Sequence, residues 1–232
     1  MSGHQRELSV TSSKQMQQNA NTAREVAGIL LAQGAVSINA AQPFVYASGA
    51  TGPIYCDLRL LMAHPKLRER ITELLVERIR ESCRVEALDV VAGVATAGIP
   101  WAAWVADKLN KPLAYVRDAP KGHGKGQQVE GGVAPGLAAI VIEDLTNQGG
   151  SALVAAAALR EVGARADYCF SILTYEFPQA GEAFRTAGVK LSSLCGLSAL
   201  LEEATASGRI DSEAEQAVRA WWRKGSVVAK RE

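Results

Sequence analysis

Two adjacent carboxylates, Glu143 and Asp144, are the residues of this chain whose types and placement most clearly suggest chemistry. They close an apolar run, residues 138–142, of the kind typical of a strand that is buried on both faces of a sheet. Carboxylates repel a phosphate, but they suit the hydroxyl groups of a ribose diol, or a metal ion. The pair therefore predicts a site for a polyol or a cation at the end of a buried strand.

The residues after the acid pair predict a place for an anion. A short polar loop contains Gly149 and Gly150, and an alanine-rich helix is predicted from about residue 151 to 162. The glycines let the backbone approach a ligand, and the first helical turn offers free N–H groups and the positive end of the helix dipole. The stretch can hold a phosphate beside two carboxylates, and the alternative is an ordinary buried strand before a helix.

A second strand-to-helix loop covers residues 93–100, and its small residues leave the backbone accessible to another phosphate-bearing group. It is not a Walker loop, because Ile99 follows Gly98 where that motif has Lys and then Ser or Thr. The G-x-G-x-x-G spacing of a dinucleotide fingerprint is absent as well. A plain tight turn explains this loop equally well.

A long glycine-rich loop is predicted from residue 117 to about 135. Its cations Arg117, Lys121, His123 and Lys125 can follow a polyanion, and its glycines allow it to move. Closure over a substrate would exclude water and strengthen each electrostatic contact. The alternative is a solvated hairpin whose charges face water.

The elements that must position these loops alternate between strand and helix. Alternation of this kind implies an α/β fold, with a parallel sheet and helices on both faces. A helix at 22–33, short strands at 44–47 and 54–58, and a helix at 65–81 come first. The predicted strands then lie at 88–94, 112–116, 138–142, 168–174 and 189–194, and the remaining helices at 98–109, 151–162, 178–187, 198–207 and 211–224.

Length and composition exclude several classes of protein. The chain has 232 residues, 48% of them hydrophobic, which is enough for one sizeable core. A net charge of +1 does not indicate the strongly basic surface that binds nucleic acids. No apolar run approaches the roughly 20 residues that a helix needs to cross a bilayer. Four scattered cysteines without a C-x-x-C pair predict reduced thiols in a cytoplasmic protein. Residues 1–20 are polar, lack a signal peptide's apolar core and are predicted to be disordered.

The acid pair and its loop resemble the phosphoribosyl-diphosphate (PRPP) signature of the type I phosphoribosyltransferases. Two further stretches resemble the orotate branch of that family: Tyr-Val-Arg, Lys-Gly-His-Gly and Val-Glu-Gly within residues 115–131, and residues 47–49 and 53–59 upstream. The resemblance covers about residues 44–151. It implies the Rossmann-like type I phosphoribosyltransferase fold in a single domain, residues 21–232, with a small N-terminal hood at about 21–60, a core at 61–195 and C-terminal helices at 196–225.

The resemblance also implies a reaction and a set of partners. The phosphoribosyl group of PRPP would pass to orotate, giving orotidine 5-phosphate and diphosphate in pyrimidine (UMP) biosynthesis. Mg²⁺ would be held mainly through PRPP, with no metal site of the protein's own. The protein would be a cytoplasmic homodimer with a shared active-site loop, without nucleic-acid or membrane partners.

Carried over residue by residue, the resemblance assigns roles to named side chains. The catalytic residues would be Lys121, His123, Glu143 and Asp144. Orotate would be bound by Tyr55, Cys56 and Asn147, and PRPP by Thr96, Ala97, Arg117, Lys121, His123, Glu143, Asp144, Leu145, Thr146, Asn147, Gln148, Gly149, Gly150 and Ser151.

Several positions depart from the family pattern. Asp118 stands where the family loop has Lys, Asn147 where the phosphate loop has Thr, and Gln148 where Ala or Asp is usual; Ala97 replaces a Lys that many members have. An anion beside a polyphosphate is unfavourable. The departures therefore keep two alternatives open: a PRPP-binding relative with impaired catalysis, and a phosphoribosyltransferase for another base.

Overall fold

The computed structural model describes residues 3–46, 49–119 and 127–225. Two short 3₁₀ helices, Leu58–Ala63 and Val85–Ala87, accompany the main elements. In chain order these are α1 (Gly3–Ala32), β1 (Val36–Ile38), β2 (Phe44–Val45), β3 (Thr51–Gly52), β4 (Ile54–Cys56), α2 (Pro65–Ser82), β5 (Val90–Val94), α3 (Gly98–Leu109), β6 (Leu113–Val116), β7 (Val129–Glu130), β8 (Ala138–Thr146), α4 (Gly150–Glu161), β9 (Arg165–Thr174), α5 (Pro178–Thr186), β10 (Lys190–Gly196), α6 (Leu197–Ala206) and α7 (Ser212–Arg223).

The central sheet has six strands in the order β10-β9-β8-β5-β6-β7. Five of them are parallel, and the edge strand β7 runs antiparallel to β6. The predicted parallel sheet is confirmed, whereas β7 was not predicted. Because β8 lies between β9 and β5, its carboxyl end is flanked by the ends of both neighbours, where ligands bind in sheets of this type.

Apolar side chains cover both faces of the sheet. On one face, Trp101 of α3 and Phe170 of β9 belong to a large core that also includes residues of α1, α2, α6 and α7. On the other face, Leu159 of α4 and Phe184 of α5 pack against the alternate residues of β8. The prediction of helices on both faces is confirmed. Each face of a parallel sheet needs such a cover, because crossover helices lie over it.

Four short strands form a small unit beside the carboxyl edge of the sheet, within the predicted N-terminal hood at about residues 21–60. The name hood is kept below for the residues of these strands, 36–56. Strand β1 pairs antiparallel with β4, placing Val36 opposite Cys56, and β2 pairs antiparallel with β3, placing Phe44 opposite Gly52. Residues 47 and 48, part of the stretch that resembles the orotate branch, lie outside the described residues. Strands of two or three residues are not stable alone, so the hood depends on contacts with the core.

The N-terminus differs from its prediction. Disorder is predicted for residues 1–20 and a helix only from residue 22, whereas α1 begins at Gly3 and continues to Ala32. Low apolar content argues against a packed core, but it does not prevent a helix. Between residues 4 and 27 there is neither Gly nor Pro to interrupt one.

Among the described residues, no helix is both long and apolar enough to span a bilayer.

Candidate functional site

The acid pair lies within β8, which continues through both carboxylates to Thr146 instead of ending before them as predicted. Successive residues of a strand point to opposite faces. Glu143 is 6% exposed, whereas Asp144 is half-buried. Glu143 Oε1 accepts a hydrogen bond from Asp144 N at 3.1 Å, and Asp144 Oδ1 accepts one from Leu145 N at 2.8 Å. The two carboxyl groups therefore sit at the strand end in unequal surroundings.

Burial keeps Glu143 in its neutral form. Loss of hydration, and then the neighbouring Asp144 carboxylate, raise the pKa of Glu143 from 4.5 to about 9, and the Asp118 carboxylate raises it further in a minor way. Two adjacent carboxyl groups resist double ionisation because like charges repel in a buried setting. The pair then carries about one negative charge near neutral pH, with Glu143 able to donate a hydrogen bond.

Because folded Glu143 keeps its proton, the free energy of unfolding should depend on pH. The substitution Glu143→Gln should remove this dependence. Folded Glu143 keeps its proton until about pH 9, whereas the unfolded chain loses it near pH 4.5. Across that window the unfolded state binds fewer protons, so the wild-type protein loses stability as pH rises. The loss is at most about 1.4 kcal/mol per pH unit.

Urea unfolding of both proteins at pH 5, 7 and 8.5 checks this prediction. We expect the free energy of unfolding of the wild type to fall relative to that of Glu143→Gln at each step upward in pH. A constant difference between the two proteins across the series would mean that Glu143 is ionised in the folded state.

The loop between β5 and α3 lies against the acid pair. Gly93 of β5 pairs with Ile142 of β8. A Cβ atom added to Gly98 would lie 2.5 Å from the Ile142 carbonyl oxygen and 3.4 Å from Glu143 Oε1, so only glycine allows this approach. The sheet thus brings Thr96, exposed in this loop, to the same edge as Glu143.

A small cleft of about 110 Å³ lies at the end of β8 and is lined by Glu143 and residues 145–152. Gly149 caps the start of α4 from the preceding position, in the left-handed conformation with φ at 82°, and an added Cβ would lie 2.5 Å from the Phe184 ring. The first turn of α4 therefore presents its free backbone N–H groups to the cleft. The Thr146 hydroxyl is buried in its lining and has no hydrogen-bond partner among the described residues. These donors suit a phosphate, and a neutral Glu143 would not repel it.

The hood presents its predicted base-binding residues beside the acid pair. The Tyr55 side chain is 44% exposed, and its ring lies 5.7 Å from that of Phe44. Burial raises the pKa of the Cys56 thiol to about 12, and the Asp144 carboxylate adds to that rise. Cys56 and Asp144 are thus close enough to interact electrostatically. A flat ligand between Tyr55 and the end of β8 would adjoin a sugar held by the acid pair.

The two ends of the long loop are joined by strand pairing, which favours the hairpin interpretation for these ends. Tyr115 and Val116 of β6 pair with Glu130 and Val129 of β7, and Arg117 N donates to the Gln128 carbonyl oxygen at 3.0 Å. The Arg117 guanidinium lies 3.8 Å from the Glu130 carboxylate. Three predicted loop cations, Lys121, His123 and Lys125, lie outside the described residues.

Three departures from the family pattern have exposed side chains. Asp118 is exposed at the loop stem, where it still acts on the pKa of Glu143. Asn147 and Gln148 are exposed on the turn before α4, and this turn forms part of the cleft lining. Exposure lets Asn147 and Gln148 turn away from a ligand, so backbone groups remain available to a phosphate.

Metal-ligating side chains are few in this site. In residues 3–46, 49–119 and 127–225, no group of three or more His, Cys, Asp or Glu side chains could hold a metal ion. Glu143 and Asp144 are nonetheless oxygen donors, and Mg²⁺ is commonly held by one or two carboxylates together with phosphate oxygens of a substrate. The donors present therefore fit a magnesium ion that arrives with a phosphorylated ligand, and the Asp144 carboxylate would be available to help hold it.

Two residues of the site were not predicted. The Asp57 carboxylate, 2.6 Å from the Arg59 guanidinium, is the main cause of the raised pKa of Arg59, and the Asp144 carboxylate is a minor one. Tyr175 follows β9 and touches Cys56, with its hydroxyl oxygen 3.3 Å from the sulfur. The sequence carried a signal for Tyr175, since it ends a strand next to β8 and strand ends share one edge of a parallel sheet. Arg59 lies at the end of the stretch that resembles the orotate branch.

Taken together, the site can bind a phosphate at α4, a diol at the acid pair and a flat base at the hood. The Asp144 carboxylate can stabilise positive charge that develops on a sugar carbon held between them.

Comparison with known proteins places this geometry among transferases. A family model described as the phosphoribosyl transferase domain matches residues 60–183, which include the acid pair, the cleft and the long loop.

Two similar proteins are both called orotate phosphoribosyltransferase. The one from Coxiella burnetii is 42% identical over 201 residues, which is 87% of this chain and 95% of the relative. The one from Streptococcus gordonii is 46% identical over 191 residues, covering 82% of this chain and 90% of the relative. Among solved structures, the orotate phosphoribosyltransferase of Aeropyrum pernix is similar with a TM-score of 0.68 and 33% identity, over 80% of this chain and 99% of that one.

Proposed function

The chain belongs to the orotate phosphoribosyltransferase family, and on that basis we propose that it transfers the phosphoribosyl group of PRPP to orotate. The products are orotidine 5-phosphate and diphosphate, and the reaction is a step of pyrimidine biosynthesis. The observation that carries the proposal is the end of β8, where the acid pair adjoins the cleft at α4. That arrangement matches the two ends of a phosphorylated ribose.

Different residues at this edge of the sheet bind different parts of PRPP. Residues 147–151 and the Thr146 hydroxyl hold the 5-phosphate, chiefly through backbone N–H groups at the start of α4. Asp144 accepts hydrogen bonds from the ribose hydroxyls, and neutral Glu143 donates one. Thr96 and Ala97 hold the diphosphate on the loop that Gly98 brings against Glu143.

Orotate lies in the hood against Tyr55 and Cys56, within reach of Asn147. Attack by the base nitrogen on the ribose C1 passes through a state with oxocarbenium character. The Asp144 carboxylate stabilises that developing positive charge by its fixed position at the strand end.

The negative charge that accumulates on the leaving diphosphate must be neutralised by nearby cations. Arg117, Lys121 and His123 supply cations from the long loop, and His123 can donate a proton or a hydrogen bond. Magnesium arriving with PRPP would supply further positive charge against the leaving diphosphate, with Asp144 as a carboxylate that could help hold it. A loop that closes over these groups would exclude water and strengthen each contact.

A direct assay tests the proposed reaction. The purified protein is mixed with orotate, PRPP and Mg²⁺, and orotidine 5-phosphate is measured by chromatography. Uracil, hypoxanthine and adenine are tested in parallel. We expect orotate to react fastest, and no turnover by folded protein would end the proposal. A faster reaction with another base would keep the transfer but change the acceptor.

Asp118→Lys is expected to raise kcat/KM for PRPP by about tenfold. The change removes an anion from the loop stem and adds a cation where a polyphosphate leaves. A charge pair at about 4 Å is worth roughly 4 kcal/mol at an effective dielectric of 20, and the exposure of this side chain reduces that value several-fold through screening.

Asp118→Asn is the matched control, because it removes the charge without adding one and should give a smaller gain. Initial rates at low and high ionic strength complete the test, since the gain should shrink in salt. A variant that gains nothing would show that Asp118 points away from the diphosphate. Tight PRPP binding by a wild type without turnover, with activity gained in Asp118→Lys, would favour the PRPP-binding alternative.

We also propose that the protein acts as a homodimer in which the long loop completes the site of the neighbouring subunit. Light scattering of the purified protein tests the dimer. The four cysteines are all unpaired, which fits a reducing compartment, and we propose the cytoplasm as the place of action.

A further inference from the structure

Tyr175 is joined to the strand that carries the acid pair. Its backbone N donates to the carbonyl oxygen of Thr146 at 2.9 Å, which extends the pairing of β8 with β9 by one residue beyond Thr146 and Thr174. Thr146 lines the cleft assigned to the 5-phosphate. The position of Tyr175 is therefore fixed relative to the phosphoribosyl site.

The same residue reaches the hood through its side chain. Its hydroxyl oxygen lies 3.3 Å from the sulfur of Cys56, which ends β4 and follows Tyr55. Tyr175 is 5% exposed, and burial raises the pKa of both its hydroxyl and the Cys56 thiol. Both groups are thus neutral near pH 7, and the contact is an ordinary hydrogen bond that does not change with pH in that range.

Trp221 of α7 forms a second contact between the core and the hood. The rings of Tyr175 and Phe177 stack at 5.6 Å and 2°, and Trp221 meets both edge-on, at 6.3 and 5.9 Å. On its other side Trp221 contacts the hood, because a Cβ atom added to Gly52 would lie 2.8 Å from Trp221 Cζ2 and would also clash with the Tyr46 hydroxyl. Trp221 thus packs within its own domain, against both the core and the hood.

The hood needs such support. Its strands have two or three residues each, and pairs this short are not rigid on their own. The Tyr46 hydroxyl donates to the Ile54 carbonyl oxygen at 2.6 Å, but that bond joins two parts of the hood to each other. The contacts of Tyr175 and Trp221 instead join the hood to the core.

We propose that Tyr175, supported by Trp221, is a positioning residue that fixes the orotate pocket relative to the phosphoribosyl site. The inference rests on the proposed function and deepens it. Tyr175 acts on orotate through Cys56 and Tyr55, whereas its tie to the PRPP site is a backbone bond that a side-chain substitution leaves in place. Loss of the hydroxyl should therefore weaken orotate binding selectively.

Tyr175→Phe tests this by removing only the hydroxyl. We expect the KM for orotate to rise about threefold to tenfold, the factor that one neutral hydrogen bond is worth, with the KM for PRPP unchanged within about twofold. Tyr168→Phe is the matched control: Tyr168 lies toward the other end of β9, stacked on Phe170 at 6.1 Å, and should change neither value. Trp221→Phe, which keeps an aromatic ring, should shift the orotate KM in the same direction.

A second readout does not depend on turnover. Alkylation of Cys56 by iodoacetamide, followed by peptide mass mapping, should be severalfold slower in Tyr175→Phe than in the wild type, because the Tyr175 hydrogen bond lowers the pKa of the thiol and its loss leaves less of the reactive thiolate. Equal rises in both KM values, or unchanged orotate KM with unchanged alkylation, would overturn the inference. If the wild type makes no orotidine 5-phosphate, the proposed function fails, and the alkylation rates alone then decide: a slower rate in Tyr175→Phe supports the hydrogen bond between Tyr175 and Cys56, and an equal or faster rate overturns it.

Discussion

Asp144→Asn is expected to lower kcat/KM for PRPP by about a thousandfold, the size of effect seen when one preorganised charge-stabilising group is removed. Glu143 is buried and neutral, so Asp144 carries the negative charge of the pair. Asparagine keeps the shape of the side chain and loses that charge. Steady-state kinetics with varied PRPP at saturating orotate measure the loss.

The matched control is Glu143→Gln, which resembles the protonated acid. Its kcat/KM should fall by about tenfold or less, because an amide can still donate a hydrogen bond to a ribose hydroxyl. Circular dichroism and urea unfolding verify that both variants fold. Equal losses in the two variants would contradict the unequal division of charge between Glu143 and Asp144.

Lys121→Ala should lower kcat by roughly a hundredfold to a thousandfold and leave the fold intact. The resemblance to the family places this lysine on the leaving diphosphate, where charge accumulates during transfer. Lys121 lies outside the described residues, so the prediction rests on the sequence, while the structure supplies the paired stem of β6 and β7 that carries the loop. Single-turnover kinetics separate the loss in transfer from any change in product release.

Lys125→Ala controls for the overall charge of the loop. It removes the same charge four residues away and should cost less than about threefold, since a displaced charge in water is screened. If the two lysine variants lose the same activity, the loop contributes only a diffuse positive field and Lys121 has no special position.

The sequence predicted the core of the fold well because its signals are local. Alternating apolar runs and amphipathic stretches gave helix α3 at its observed bounds and placed α2, β6 and α4 within about one residue. The acid pair and Gly149 could be identified because strand, loop and helix entry follow one another along the chain. Gly149 has a second constraint that no local pattern reveals, the Phe184 ring beside it.

The remaining features depend on contacts between distant parts of the chain. Strands β3 and β7 have two residues each, too few for any periodicity to appear. The contacts of Tyr175 with Cys56 and Trp221 join residues 119 and 46 positions apart in the sequence. The raised pKa of Glu143 likewise follows from burial, which the residue type alone would not suggest.

We expect a phosphorylated ribose to lie across the end of β8, with its hydroxyls at the acid pair and its 5-phosphate at the start of α4. A crystal structure with PRPP and Mg²⁺ bound measures this directly. The ribose hydroxyl oxygens should lie within hydrogen-bond distance of Asp144 and Glu143, and the phosphate oxygens should contact the backbone of residues 147–151. A ribose bound elsewhere, or a cleft filled by the Gln148 side chain with PRPP present, would contradict it.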